Sequence, residues 1–291
     1  MQAISTHNPA RQEALFALAS RSKEIWDEND VQKDAVKAIA AEIASFVQAD
    51  AETRSITDFL LNRKPTQVGD VKMVSKPNHA VYWLNQEGTF KSSKDHSEVT
   101  TVPAVLLTAR LIVNLLDLRR GHVAPMDEQV GDVIDKITGK LNKYACDLLI
   151  ASAVAANTVT VAGSLDAATM DDALAKLEDL GLVPRLFAGR ASVFSAVKSD
   201  TTIGNGVKDE WQMKGMQNSV YGGASLLYVP EMPTTSVLLL ADRLPGNVQD
   251  EFELEQKEIE SNDRLDVGMK LYKTTRMWAT NANRFALITI T

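Results

Sequence analysis

The sequence predicts an α+β protein, and three observations carry that expectation. One amphipathic helix of about thirty residues runs through the middle of the chain, short helices and strands alternate after it, and a period-two run of strand-like sequence closes it. The 291 residues, 45% hydrophobic and 24% charged, suffice for one large domain or two smaller ones around a sizeable core. A formal net charge of −7 argues against tight nucleic-acid binding by charge alone, which needs clusters of Lys and Arg.

Residues Pro9 to about Leu61 read as helix in two pieces, opened by Asn8-Pro9 as cap and first turn. Leu15, Leu18, Ile25 and Trp26 form a partial apolar stripe, Asp27 to Asp30 interrupt it, and Val36, Ile39, Ile43, Phe46 and Val47 resume it. The stripe is narrow and its opposite face charged, which suits an arm packed on something else as well as it suits a surface helix of its own domain. From Thr66 to Val102, Val71, Met73, Val81, Tyr82, Trp83 and Phe90 favour strand, with breaks at Gly69-Asp70, Pro77-Asn78 and Glu87-Gly88. The polar run Lys91 to Glu98 reads as a solvated tip. A lone two-stranded hairpin is marginal in water, so this loop needs a neighbouring surface, which points to another copy of the chain.

Val102 to Leu118 is expected as buried strand, ended by Arg119-Arg120-Gly121. The long helix follows from about Pro125 to Ala155, with Met126, Val130, Val133, Ile137, Leu141, Tyr144 and Leu148 on one face. It would span roughly 45 Å. Gly131 and Gly139 weaken it and are read as close-packing positions. Thr158 to Val161 is expected as strand, and Ala167 to Leu180 as a helix capped by Ser164 to Asp166 and ended by Gly181. Arg185 to Ala188 reads as strand, Ala191 to Lys198 as helix, Thr201 to Gln217 as a polar loop, and Leu226 to Val229 and Val237 to Ala241 as strands. In the tail, Phe252 and Leu254 alternate with Glu251, Glu253 and Glu255. Met269 to Tyr272, Met277 to Ala279 and Phe285 to Ile290 look like three strands of one antiparallel sheet.

Little in the chain nominates chemistry. His7, His79, His96 and His122 lack metal-ligand spacing, and no P-loop or Gly-x-Ser-x-Gly elbow is present. Cys146, the single cysteine, forms no intramolecular disulfide and reads as a small buried apolar residue of the long helix. Gly204-Asn205-Gly206 reads as a turn. The acidic alternation Glu251, Glu253, Glu255 suits a solvated or inter-subunit face better than paired catalytic carboxylates, since three like charges share one side. The expectation is therefore no enzyme, no catalytic or metal site and no cofactor. No stretch has the length and apolarity of a membrane span or a signal peptide. With Met1 retained, no pro-segment is expected to have been removed.

Taken together, the element order resembles the major capsid proteins of tailed double-stranded DNA phages with the Hong Kong 97 fold. Ile112 to Gly121 followed by Met126-Asp127-Glu128 resembles the approach to that family's spine helix. Leu182-Val183-Pro184-Arg185-Leu186-Phe187 and Tyr221-Gly222-Gly223-Ala224-Ser225-Leu226-Leu227-Tyr228-Val229-Pro230 resemble its axial domain. The resemblance implies an N-terminal helical arm at 1–64, an extended β-hairpin loop at 65–104, a peripheral domain with the spine helix at 105–160, an α/β axial domain at 161–248 and return strands of the peripheral domain at 249–291.

The same resemblance implies hexamers and pentamers closing an icosahedral shell around double-stranded DNA. The chain's partners would be itself, portal, scaffold and decoration proteins, and DNA through weak non-specific contact. The virion capsid would be its location, after assembly in the host bacterial cytoplasm. The arm begins almost at once, so a separate scaffold or none is expected. Candidate inter-subunit contacts are the loop aromatics Tyr82, Trp83 and Phe90, the tip residues Lys91 and Lys94, and Glu251, Glu253 and Glu255. Lys72, Lys76, Lys91 and Lys94 lie where cross-linking relatives carry a lysine, but no matching Asn or Glu is identified. Two alternatives are an encapsulin-like nanocompartment holding an enzyme cargo, and a small α/β enzyme built on Ser164 to Leu240.

Overall fold

Two β-sheets share one long helix. The computed structural model describes residues 13, 17, 47, 51, 54–75, 98–114, 124–198, 220–251, 255–259 and 266–291. In chain order, a short helix α1 (Thr57–Leu60) precedes strand β1 (Asn62–Lys64), the strands β2 (Lys72–Ser75) and β3 (Glu98–Thr101), and β4 (Val105–Asn114). The long helix α2 (Ala124–Ser152) leads to β5 (Thr158–Val161), α3 (Ala167–Glu178), β6 (Pro184–Gly189) and α4 (Ala191–Lys198). Then come β7 (Val220–Tyr221), β8 (Ala224–Tyr228), β9 (Ser236–Ala241), β10 (Gly246–Asp250), β11 (Glu255–Ile259), β12 (Asp266–Ala279) and β13 (Phe285–Ile290).

The first sheet runs β5-β13-β9-β6-β8-β7. Its strands obey a strict period of two. Leu186, Ala188, Leu238, Leu240, Phe285 and Leu287 join the core built around α2, whereas Phe187, Val237, Leu239, Ala286 and Ile288 join the core built around α3 and α4. With helices on both faces, all six residues of β9 are buried, which is why its sequence is an unbroken apolar run. Asp166 caps α3, its Oδ1 accepting from Thr169 N at 2.8 Å. Gly181, at φ +68°, turns the chain off the other end so that Leu182 N donates to Leu177 O at 3.0 Å.

Helix α2 carries the larger core. Val130, Val133, Ile137 and Leu141 are buried as the spacing predicts. Beyond Leu141 the stripe drifts by one residue: Ala145 and Leu149 take the centre, and Tyr144 and Leu148 are only half-buried. A repeat kept near 3.5 residues slides around a helix of 3.6 residues per turn, and over 29 residues the slide is visible. Gly139 is not forced by packing, since a Cβ there would lie an ordinary 3.6 Å from Glu231 Oε1.

The second sheet is organised by β12. Strand β4 pairs with it antiparallel from Asp266↔Asn114 to Thr275↔Val105, β10 and β11 pair along its other side, and β1 runs parallel to β10. Two expectations are corrected here. Over residues 105–110 strand β4 is covered on one face only: Leu107 and Ala109 pack on the α2 core, while the neighbouring Leu106 is 59% exposed. The closing segment is not one three-stranded sheet. Asp266–Ala279 is a single fourteen-residue strand, and Phe285–Ile290 crosses to the first sheet. The crossing follows from a capped turn, in which Thr280 N and Asn281 N donate to Pro245 O and Asn281 Oδ1 accepts from Asn283 N.

The end of the expected arm also belongs to its own chain. Val47, Ala51, Leu60 and Leu61 are buried in the α2 core. Arg54 pairs with Asp135 of α2 at 2.8 Å, and Asn142 Oδ1 accepts from Ile56 N at 3.1 Å and Ser55 Oγ at 3.3 Å. The apolar pair Leu60-Leu61 explains this, since both side chains are fully buried. The more N-terminal pattern, apart from Glu13 and Ala17, lies outside the described residues.

Candidate functional site: the junction of arm, loop and closing strands

Three distant parts of the sequence meet at the β10 end of the second sheet. Strands β2 and β3 pair antiparallel from Lys72↔Thr101 to Ser75↔Glu98 and form the base of the expected hairpin. Val102 N donates to Val71 O at 2.9 Å, and Val71, Val102 and Trp278 make a small cluster of their own. Between β1 and this base, residues 65–70 form an exposed strap across the edge of β10. Gln249 Nε2 donates to Pro65 O at 2.6 Å, Gln67 N to Asp250 O at 3.2 Å, and Gly69 N to Glu251 Oε1 at 3.4 Å.

Charge holds the junction together. Asp250 Oδ2 lies 3.0 Å from Arg63 and 3.0 Å from Lys273 Nζ; the Asp250 and Lys273 side chains are only 10% and 6% exposed. Arg63 reaches back to Asp58 at 2.9 Å. One register position on, Glu251 Oε2 pairs with Arg276 at 3.0 Å. Lys273 shares the core-facing side of β12 with Leu271 and Met277, and Arg276 shares the other side with Trp278. Buried charges of this kind persist only when paired, so each acid fixes which segment docks beside which.

Of the residues nominated from sequence, Tyr82, Trp83, Phe90, Lys91, Lys94 and Glu253 lie outside the described residues. Glu251 sits at the bend after β10, committed to Arg276 and to the strap within its own chain. Glu255 opens β11 opposite Tyr272. A single strand does not carry the three glutamates as the alternation suggested. Glu251 lies beyond the end of β10 at Asp250 and Glu255 opens β11, so these two do not share one strand. Sequence reasoning missed Arg63, Gln249, Asp250, Lys273 and Arg276. The usable signal was Lys273 and Arg276 within a strand-like run whose neighbours Leu271 and Met277 are apolar.

Among the described residues, no group of three His, Cys, Asp or Glu is placed to hold a metal ion. Burial, and then the nearby carboxylates Glu231 and Asp147, push the Cys146 thiol up to about 12, so it stays protonated and unreactive. Among the described residues, no helix is long and apolar enough to cross a membrane.

A mixed six-stranded sheet and a smaller strap-bearing sheet, set on one long helix, define the fold class: this is the Hong Kong 97-type fold. The chain is similar to the virus-like particle from Pyrococcus furiosus, with TM-score 0.58 and 11% identity over 85% of this chain and 98% of that one. It is likewise similar to the holo-SrpI encapsulin complex from Synechococcus elongatus PCC 7942, with TM-score 0.56 and 14% identity over 80% and 85%. The capsid of Cyanophage P-SCSP1u gives TM-score 0.57 and 8% identity over 80% and 86%. Structures from Microbacterium phage Oxtober96 and Mycobacterium phage Bobi are similar at TM-scores of 0.56 and 0.59, with 15% and 13% identity over 81% of this chain and 91% and 90% of those chains. No protein-family model matches the chain, and no curated protein matches it in sequence.

Proposed function

We propose that this chain is a structural shell protein, the major capsid protein of a tailed phage, whose copies form hexamers and pentamers of an icosahedral shell around double-stranded DNA. The observation that carries the reading is that a fold shared with shell-forming proteins spans four-fifths or more of the chain. Portal, scaffold and decoration proteins are the further partners this role calls for, in a virion assembled in the bacterial cytoplasm. The domain limits are those the sequence suggested, 1–64, 65–104, 105–160, 161–248 and 249–291, amended in that β13 completes the first sheet. Contacts between copies are assigned to Tyr82, Trp83, Phe90, Lys91 and Lys94 of the loop, and to Glu253 and Glu255. Glu251, which pairs with Arg276 within its own chain, is assigned to the same contact face.

Electron microscopy and sedimentation of the purified chain over a range of salt test this reading. Closed particles of uniform size are expected, and a monomer that persists under every condition overturns it. The encapsulin-like reading is kept because an encapsulin and an archaeal virus-like particle share the fold at the same level of similarity as the phage structures. Particles that co-purify with a protein cargo favour that reading, and nuclease-protected DNA favours the capsid.

A further inference from the structure

The strap 65–70 crosses the sheet beside the register position of an arginine whose hydrogen bonding is half complete. Arg276 is 5% exposed, and its Nη2 pairs with Glu251. Its Nε and Nη1 are buried and find no acceptor, and neither does the buried Thr275 Oγ1 beside it. In register, Arg276 faces Gln249, which holds Pro65 and Gln67; two residues on along the same face is Trp278, which holds Val71 and Val102. Arg276 therefore lies on the side of β12 that the strap crosses, between its two points of attachment.

The balance of forces on this strap is unusual. A buried donor without an acceptor costs more than a typical hydrogen bond contributes, and more again when it is charged. Against that cost stand the side-chain bonds from Gln249, the 3.2 Å bond from Gln67 N, the 3.4 Å bond from Gly69 N and one three-residue apolar cluster. The strap buries little of itself: all of residues 65–70 are exposed, Val68 by 66%. Gly69, at φ +102° with nothing within 4 Å of its Cβ position, leaves the backbone free to turn. On one side of the strap, β1 is held by its ladder to β10 and by the fully buried Leu60 and Leu61.

We propose that residues 65–70 are a latch, which lifts from β10 and β12 as a unit while β1 stays in its sheet, and that hydration of Arg276 favours the lifted state. The latch sets whether the β2–β3 hairpin is held against Trp278 or swings free on its base. This holds whether or not the chain forms a shell, because it concerns the tethering of a segment within one copy.

Amide hydrogen exchange on the full chain tests it, with Gln67 N–H as reporter because its acceptor is the Asp250 backbone. In the unmodified protein Gln67 is expected to exchange well before the amides of β9, by local opening. Gln249→Ala is expected to speed Gln67 exchange about five- to tenfold while leaving β1–β10 amides unchanged. Arg276→Met combined with Glu251→Gln is expected to slow it by a similar factor, because no buried charge then favours lifting. Exchange of Gln67 at the β9 rate in the unmodified protein overturns the proposal. So does a double variant that exchanges as fast as the unmodified chain, or a Gln249→Ala chain in which the β1–β10 ladder loosens equally.

Discussion

Strands β9 and β12 both lie inside a sheet, yet they are made of opposite materials. Strand β9 is Ser-Val-Leu-Leu-Leu-Ala with every residue buried between helices. Strand β12 buries Lys273, Thr275 and Arg276 along with Leu271 and Met277. The first sheet collects strands from one stretch of the chain plus the last strand, and apolar matching suffices to order them. The second gathers residues near 62, 105, 250 and 270, and there the paired charges select which segment docks beside which. Apolar burial supplies stability at low specificity, whereas buried ion pairs supply little net stability but penalise wrong docking heavily.

The sharpest way to break this contrast is Asp250→Ala, which removes the carboxylate shared by Arg63 and the buried Lys273. It is expected to destabilise the chain by about 3–5 kcal/mol in denaturant unfolding. A loss below about 1 kcal/mol would show that the charges are incidental. Next in size is one substitution placed in each sheet. At Gly246 a Cβ would fall 2.4 Å from the Trp278 carbonyl oxygen and 2.8 Å from Leu61, so Gly246→Ala forces the β10–β12 ladder apart. At Gly189 the nearest atoms are side-chain carbons of Phe194 and Val237 at 3.2 Å, which shift more readily. Thermal unfolding is expected to show about 3 kcal/mol lost at Gly246→Ala and about 1 kcal/mol at Gly189→Ala. Equal losses would mean that both sheets yield alike.

The core between the sheets gives a pH signature. The Cys146 thiol is held up to about 12 against an ordinary 9.0, chiefly by desolvation. Above pH 9 the unfolded chain loses this proton and the folded chain keeps it, so stability falls with rising pH, by about 1.4 kcal/mol per unit until near pH 12. Cys146→Ala is expected to remove that slope in unfolding curves measured between pH 9 and 11. The smallest effect belongs to the surface. Arg54→Ala breaks a pair whose Asp135 is 56% exposed and is expected to cost under about 1 kcal/mol.

Where the sequence alone marked elements sharply, the mark was local chemistry. Asp166 and Gly181 bracket α3, Ala191–Lys198 forms α4 at the limits read from sequence, and the apolar spacing of α2 is that of one long helix. What sequence could not show was partnership. Nothing in Phe285–Ile290 distinguishes a strand of one sheet from a strand of the other, because that choice is made by the turn at Thr280–Arg284 and by pairing with β5 and β9. Likewise the alternation around Glu251 is real as a pattern, but Glu251 falls outside β10 and Glu255 inside β11, which is set by their pairing with β12. Of the junction, Glu251 was legible as a charged position, and its partner Arg276 was not, since 25 residues separate them and no periodic rule links the pair.

Helix α2 has a mechanical corollary. It contributes to one core that touches both sheets, and a continuous helix of 29 residues resists bending along its whole length. Tilting one sheet against the other by about 5° would displace the far end of such a rod by about 4 Å, enough to tear a close-packed interior. The two sheets consequently travel as one stiff tile. On the proposed shell reading, copies that meet at different angles would take up that variation at the tile's margin and not within it.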